Sequence, residues 1–321
     1  MEIIKINFKR ESKITKIPTA ANIFGFLVNK IIEKNNLKTD DSISKMLNDL
    51  NESSFTISDV FPKGYIYNPN INYYLNDVEE KFDTDKGILQ KKYKKNKYIK
   101  KVFLEENYKY ENKQHYLKIY DDEQKLKDNF IKFSHNINQH VQINTAQDSK
   151  PEPFNTVTLE IKIKEFECYL TCSEEILQIL KNCEKDIISL GGGIGKGYNL
   201  FSIELVEELG KEDKKFNNET GHYISLSDYV PENIEELNYI EEGSNFKVKN
   251  KSVRPVRKLK YATEDTRYRY FYIEHGSILK FDNIEKLGNI FDYKKVKGYS
   301  PKIFGKAYMY SLIDKGGSKN E

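Results

Sequence analysis

Five glycines fall within seven residues, Gly191, Gly192, Gly193, Gly195 and Gly197, with Lys196 among them and Tyr198 directly after. A helix-like segment precedes the run and a strand-like one follows, so it joins packed elements. Glycine loses more conformational freedom on folding than any other residue. A packed loop this rich in it therefore answers a requirement, either backbone at φ > 0 or an anion approaching too closely for any Cβ. Neither familiar nucleotide loop fits. A Walker loop needs Ser or Thr after Gly-Lys, whereas Gly195-Lys196 is followed by Gly197 and Leu190 occupies the first glycine position. A dinucleotide fingerprint begun at Gly191 or Gly193 would place its third glycine on Lys196 or Tyr198, and the order of helix and strand is reversed.

The flanking periodicities predict the fold around the loop. Ile4, Ile6 and Phe8 alternate with polar residues as a half-buried strand. Thr19 caps a helix to about Asn35 with Ile23, Leu27 and Ile31 on one face, and a short helix follows Asp40 or Asp41. Phe55 to Pro62 reads as a strand, Glu123–Phe133 as a helix, and Thr156–Ile163 as an alternating strand. Ser173 caps a helix that buries Ile176, Leu177, Ile179 and Leu180, and the strand after the glycine loop carries Leu200, Ile203 and Leu205. The order is βαββαβ, an α+β class, with insertions before its second helix. Residues 1–209 form this ferredoxin-like (RRM-like) domain, with a basic insertion near 86–120 and the glycine loop at 191–197. Residues 210–221 are polar and charged apart from Phe216 and read as a linker. Residues 222–321 are strand-rich, with strands expected at 222–226, 244–248, 268–273, 277–281 and 303–313, and read as a second, degenerate ferredoxin-like domain.

The chain of 321 residues has room for two cores. Its longest apolar stretch, Ile23 to Val28, is far too short to span a bilayer, and no signal peptide opens the chain; a cytoplasmic location is expected, with no membrane partner. Three cysteines fit a reducing compartment, and Cys168 and Cys172 in one strand read as core residues rather than a zinc pair. No cofactor or metal motif occurs.

Net charge is only +3, but its distribution is uneven. Four of five arginines, Arg254, Arg257, Arg267 and Arg269, lie within sixteen positions in a chain that otherwise uses lysine. Arginine is the better fork for phosphate and the better stacking partner for bases. Eight of the sixteen residues from Lys86 to Lys101 are lysines, including Lys91, Lys92, Lys94 and Lys95, with Tyr93 and Tyr98 between them. This stretch reads as an exposed excursion, either a solvated loop or a nucleic-acid contact. Tyr268, Tyr270 and Tyr272 share a strand face for cross-strand packing or base stacking. His135 and His140 lie in a polar stretch running to Asn144 and Asp148, as general acid–base candidates, RNA contacts or surface polarity.

Several of these pieces together resemble one family. Ile57-Ser58-Asp59-Val60-Phe61-Pro62 looks like the I-S-D/S-x-F-P segment of the RAMP subunit that caps the guide RNA in type III-A CRISPR effectors, subunit four of the Csm complex. Ile23-Phe24-Gly25-Phe26-Leu27 is similar to its first-helix motif, and Leu190 to Gly197 to its G-G-x-x-S-x-G-x-G loop. Gly276-Ser277-Ile278-Leu279 and Phe304-Gly305-Lys306-Ala307 resemble its C-terminal strand motifs. The loop is shorter than the family's and lacks the serine. Ala20-Ala21-Asn22 replaces the usual Asp or Ser of the first helix, and Asn144 stands where relatives often carry arginine. The resemblance implies a RAMP architecture of two ferredoxin-like domains and binding of the crRNA 5′ handle. It also implies docking to the large polymerase-like signalling subunit and a backbone RAMP subunit, leaves contact with target RNA open, and implies no catalysis. The alternative is a metal-independent repeat endoribonuclease, whose glycine loop usually lies near the C terminus; here about 120 residues follow it.

Overall fold

Alternation along Glu2–Arg10 (β1) buries Ile4, Ile6 and Phe8 on one face and leaves the intervening residues half-covered. This strand lies in the middle of a six-stranded antiparallel sheet. The spatial order is Ile187–Ser189, Leu200–Glu208, β1, Glu165–Cys172, then Thr56–Ile57 and Phe61–Pro62 together along the far edge. Helix α1 (Ala20–Lys34) follows β1, and the Glu174–Asn182 helix follows the Glu165–Cys172 strand. Both helices bury the faces that their 3.6-residue periodicity marks, Ile23, Leu27 and Ile31 in one and Ile176, Leu177, Ile179 and Leu180 in the other. The element order is therefore βαββαβ, with α2 (Asp40–Glu52) and the Ile187–Ser189 strand added. In the computed structural model the structure describes residues 2–75, 91, 93–111, 113–119, 123–142, 152–191, 197–209, 221–231, 237, 244–253, 268–281, 288–292 and 302–312.

The inserted region departs from the expectation. Tyr93, Tyr98 and Ile99 are buried, and Tyr98–Lys100 pairs with Tyr65–Tyr67 and Phe130–Ile131 in a small sheet. The described part of the lysine-rich stretch is thus a packed element, not an exposed excursion. Its tyrosines supply the reason: Tyr98 stacks on Tyr67 at 5.5 Å between ring centres and packs edge-on to Phe61 at 6.2 Å. Lys101 reaches inward, 3.0 Å from the buried carboxylate of Glu167. The expected helix to Phe133 stops at Asn129, because Phe130 turns into the small sheet and is buried. The alternating strand spans Glu152–Glu160 and pairs with Ser134–Gln142 as a two-stranded ribbon. Val157 and its partner Ile137 are 48% and 69% exposed, while Leu159, Ile161 and Ile163 further along the alternation pack against the core.

No α-helix is found among the described residues after Asn182. From His222 onward the described strands form a three-stranded sheet in the order Ile278–Lys280, His222–Ser225, Met309–Ser311, and two antiparallel pairs, Val248–Val253 with Tyr268–Ile273 and Ile290–Asp292 with Lys302–Phe304. The expected strand over 303–313 is split, because Gly305 packs on Val230 and Lys306 turns in beneath α2; a Cβ on Gly305 would stand 2.4 Å from the Val230 Cβ. The strand expected at 244–248 lies further along, at Val248–Val253.

The two ends of the chain share one core. Phe304 stacks on Phe24 of α1 at 4.7 Å and meets Phe55 edge-on at 6.1 Å. The segment from Ile57 to Pro62 is buried throughout and touches the main sheet, α1, the insertion and the second half of the chain. Its strand is interrupted at Ser58-Asp59. The Ser58 hydroxyl accepts from the Tyr169 amide at 2.8 Å, and the Asp59 amide donates to the Leu226 carbonyl at 2.9 Å. Ser227 Oγ donates to the Ile57 carbonyl at 2.7 Å. All three cysteines are buried and free, as core residues. No described helix is long and apolar enough to cross a membrane.

Candidate nucleic-acid interface

An extra edge strand, Ile187–Ser189, stands between the preceding helix and the glycine loop, so the loop is a hairpin connection to Leu200–Glu208 and not the helix-to-strand link expected. Its base is closed by a residue the sequence did not advertise. Asn199 is fully buried in left-handed backbone at φ 60°, a conformation that asparagine tolerates better than other residues with a Cβ. The Leu190 amide donates to the Asn199 carbonyl at 3.1 Å, and the Asn199 amide donates to Lys13 at 3.0 Å. Its side-chain oxygen accepts from the Thr15 amide at 2.8 Å. Gly191 and Gly197 sit at φ +101° and +70°, and so meet the backbone demand read from the sequence. Tyr198 is buried against this base and presents no ring to solvent. Gly192, Gly193, Gly195 and Lys196 lie outside the described residues.

The loop root lies beside the start of α1. A Cβ on Gly191 would stand 3.7 Å from the Asn22 side-chain nitrogen and 3.7 Å from Cε of Lys16. Asn22 works structurally: its Oδ1 accepts from the Thr19 amide at 3.0 Å and the Thr19 hydroxyl at 3.2 Å. The first turn of α1 already has an internal acceptor, since the Ala20 amide donates to the buried Asp59 carboxyl group at 2.7 Å. An incoming phosphate would have to use the loop amides and Lys16 instead.

His135 is exposed on the ribbon, opposite Leu159, whose amide donates to the Ile14 carbonyl at 2.8 Å. The histidine is therefore one strand away from the Lys13–Thr15 segment that holds Asn199. His140 lies further along the same strand, opposite Phe154. Both histidines occupy a β-ribbon, not an irregular polar loop. Asn144 lies outside the described residues.

The remaining basic residues cluster elsewhere. Lys91, Lys94 and Lys95 are exposed beside the small sheet; Lys92 lies outside the described residues. Arg269 is exposed on the Tyr268–Ile273 strand, while Arg254, Arg257 and Arg267 lie outside the described residues. Tyr270 and Tyr272 pack side by side at 6.1 Å and are only partly exposed. Burial first, then the nearby Asp228 charge, raises the Tyr270 phenol to about 12. The opposite face of the strand exposes Phe271, at 69%, next to Arg269. The alternation that puts three tyrosines on one face of this strand puts Phe271 on the other.

A mutation at the loop root follows from this geometry. Asn199→Ala should cost about 2–3 kcal/mol, from the left-handed backbone and an unpaired Thr15 amide. Asn199→Gly should cost less, since glycine keeps the backbone. Urea denaturation, with hydrogen exchange at the Leu190 amide, reads both effects.

No protein-family model matches the sequence, and no curated protein matches it. Solved structures do. A chain of the Csm3–Csm4 subcomplex of the type III-A CRISPR-Cas interference complex aligns with TM-score 0.56 and 16% identity, over 98% of this chain and 100% of its own. A chain of the Csm1–Csm4 cassette in complex with cA4 aligns with TM-score 0.54 and 13% identity, over 98% of each. The cassette in complex with pppApA gives the same score over 99% of this chain. Csm4 is the subunit common to both assemblies. The fold is Csm4-like. At these identities the likeness speaks for the fold alone, over nearly the whole chain.

Proposed function

We propose that this chain is a non-catalytic, RNA-binding structural subunit of a type III-A CRISPR effector, which binds and caps the repeat-derived 5′ handle of the crRNA. The observation that carries the reading is a Csm4-like fold over nearly the whole chain, in which the glycine hairpin is rooted beside Lys16, α1 and the histidine-bearing ribbon. Residues 1–209 and 222–321 are read as the two ferredoxin-like domains, the second degenerate, with 210–221 between them. The large signalling subunit and a backbone RAMP subunit are the partners, since the neighbouring structures are a Csm1–Csm4 cassette and a Csm3–Csm4 subcomplex. The exposed Ile137–Val157 pair and Phe271 are apolar surface suited to such contacts.

Backbone amides and lysines hold phosphates without reading sequence, so affinity for handle RNA should fall by about 0.7 log units per log unit of salt for each phosphate neutralised. Gly191→Val and Gly197→Val force a β-branched residue into left-handed backbone and should weaken handle binding. Purification with the neighbouring subunits should yield a complex containing guide RNA of fixed 5′ sequence. Metal-independent cleavage of repeat RNA at one position, lost on His135→Ala or His140→Ala, would sink the scaffold reading in favour of a processing nuclease.

A further inference from the structure

A polar groove of about 210 Å³ opens where the insertion meets the second half of the chain, well separated in sequence from the glycine hairpin. Lys94 and Lys97 line it from the insertion and Lys247 from the other side. Among the described residues Lys94 and Lys247 form no ion pair. Lys97 lies 5.6 Å and 5.5 Å from the ring centres of Tyr67 and Tyr98. The acids nearby are already engaged, Glu274 by Lys249, and Asp228 by His275 at 2.8 Å and Lys251 at 3.6 Å. Among the described residues, the three lysines therefore outnumber the one acid that lines the groove, Glu274, which Lys249 already pairs.

Its walls are held by internal bonds. The Asn68 amide group donates to the Tyr93 and Asn96 carbonyls at 3.0 Å each, and Tyr73 donates to Asn68 Oδ1 at 2.9 Å. Across the seam the Asn70 amide donates to the Gly276 carbonyl at 3.2 Å, and His275 stacks on Tyr67 at 4.0 Å. Gly276 is at φ +78°, and a Cβ there would stand 3.4 Å from the Asn68 carbonyl oxygen. Three ammonium groups on a fixed polar floor suit a phosphate, which lysine binds as a point charge. An acidic peptide fits less well, because the described lining is mostly polar and charged and offers little to anchor an apolar side chain. Exposed Lys91 and Lys95 extend the positive surface beyond the groove, as a strand with repeated phosphates requires.

We infer that the Lys94–Lys97–Lys247 groove is a second phosphate-binding site, which takes the backbone of single-stranded RNA away from the glycine hairpin. The inference rests on the RNA-binding reading above, so its test separates the two. Binding of a fluorescein-labelled single-stranded RNA to the full chain is followed by anisotropy across a salt series. Lys94→Gln/Lys97→Gln/Lys247→Gln should lower affinity by about tenfold at low salt and reduce the salt slope by about 2. Its urea midpoint, expected to match the parent, checks folding, and Lys247→Gln alone should remove about a third of the slope change. An unchanged slope in the triple variant overturns the groove. If Gly191→Val or Gly197→Val still weakens binding in that case, the hairpin reading stands alone; if neither set matters, both fall. Displacement of the RNA by inorganic phosphate or AMP would assign the groove to a free phosphate compound, and displacement by polyglutamate to an acidic protein; either result overturns the RNA assignment.

Discussion

Asp59→Ala should destabilise the chain by about 3–5 kcal/mol, measured by urea denaturation, because it strands two buried donors at once. One is the Ala20 amide at the start of α1, 2.7 Å from Oδ1; the other is the Tyr67 hydroxyl, which donates to Oδ2. Neither can reach water, since Asp59 and Tyr67 are 3% and 4% exposed. The loss should spread, because Tyr67 carries the His275 stack and with it the seam between insertion and second half. Asp59→Asn keeps an acceptor for Ala20 and should cost far less. Burial, reinforced by the Asp228 charge and opposed by His275 and the two hydrogen bonds, raises the Asp59 carboxyl above its ordinary 3.8. A raised carboxyl means that the native state binds the proton more tightly than the unfolded state. The associated stability is complete below about pH 3.8 and is lost as pH rises through the folded value. The stability of the parent relative to Asp59→Asn should therefore fall as pH rises from about 4, then level off. A difference that grows with pH would show that the carboxylate is held charged, and would remove this account.

What the sequence made legible was local. β1, α1 and the helix after Ser173 were readable because a period and a cap lie within one stretch of chain, with Ile4, Ile6 and Phe8 alternating and Thr19 preceding Ile23 and Leu27. The insertion was not, because its core is made of tyrosines set among lysines. Tyr93 and Tyr98 look like surface residues until Tyr67, Tyr73 and Phe130 surround them from other segments. The Ile57–Pro62 segment was recognised by its letters, but the reason for Ser58 and Asp59 lies in partners at Tyr169 and Ala20. The candidate interface divides in the same way. Gly191 and Gly197 announce their backbone in any sequence, whereas Asn199 is one asparagine among many until it closes the hairpin on Thr15. The lysine groove gathers residues about 150 positions apart, beyond the reach of any periodicity.

Lys306→Met should cost about 3–5 kcal/mol, again read as a shift in urea midpoint, since it leaves buried carbonyls without a donor. The Lys306 side chain is 1% exposed, and its ammonium donates to the carbonyls of Leu50, Asn51 and Ser53. These belong to the last turn of α2 and the residue that ends it, where helical carbonyls lack intrahelical partners and the helix dipole favours a cation. No basic residue of α2 itself occupies its last turn, so the charge comes from the far end of the chain. Lys306 thereby ties α2 to the strand-rich second half, beside the Phe24–Phe55–Phe304 cluster and next to Gly305, where no Cβ fits against Val230. Methionine restores most of the stem volume, so the loss reports the ammonium rather than a cavity. Lys306→Arg should not rescue, because a planar fork with five donors cannot take the place of one point charge among three converging carbonyls. Loss of α2 hydrogen-exchange protection in Lys306→Met, with β1 still protected, would place the damage at this joint; equal loss in both would show that the two halves unfold as one unit.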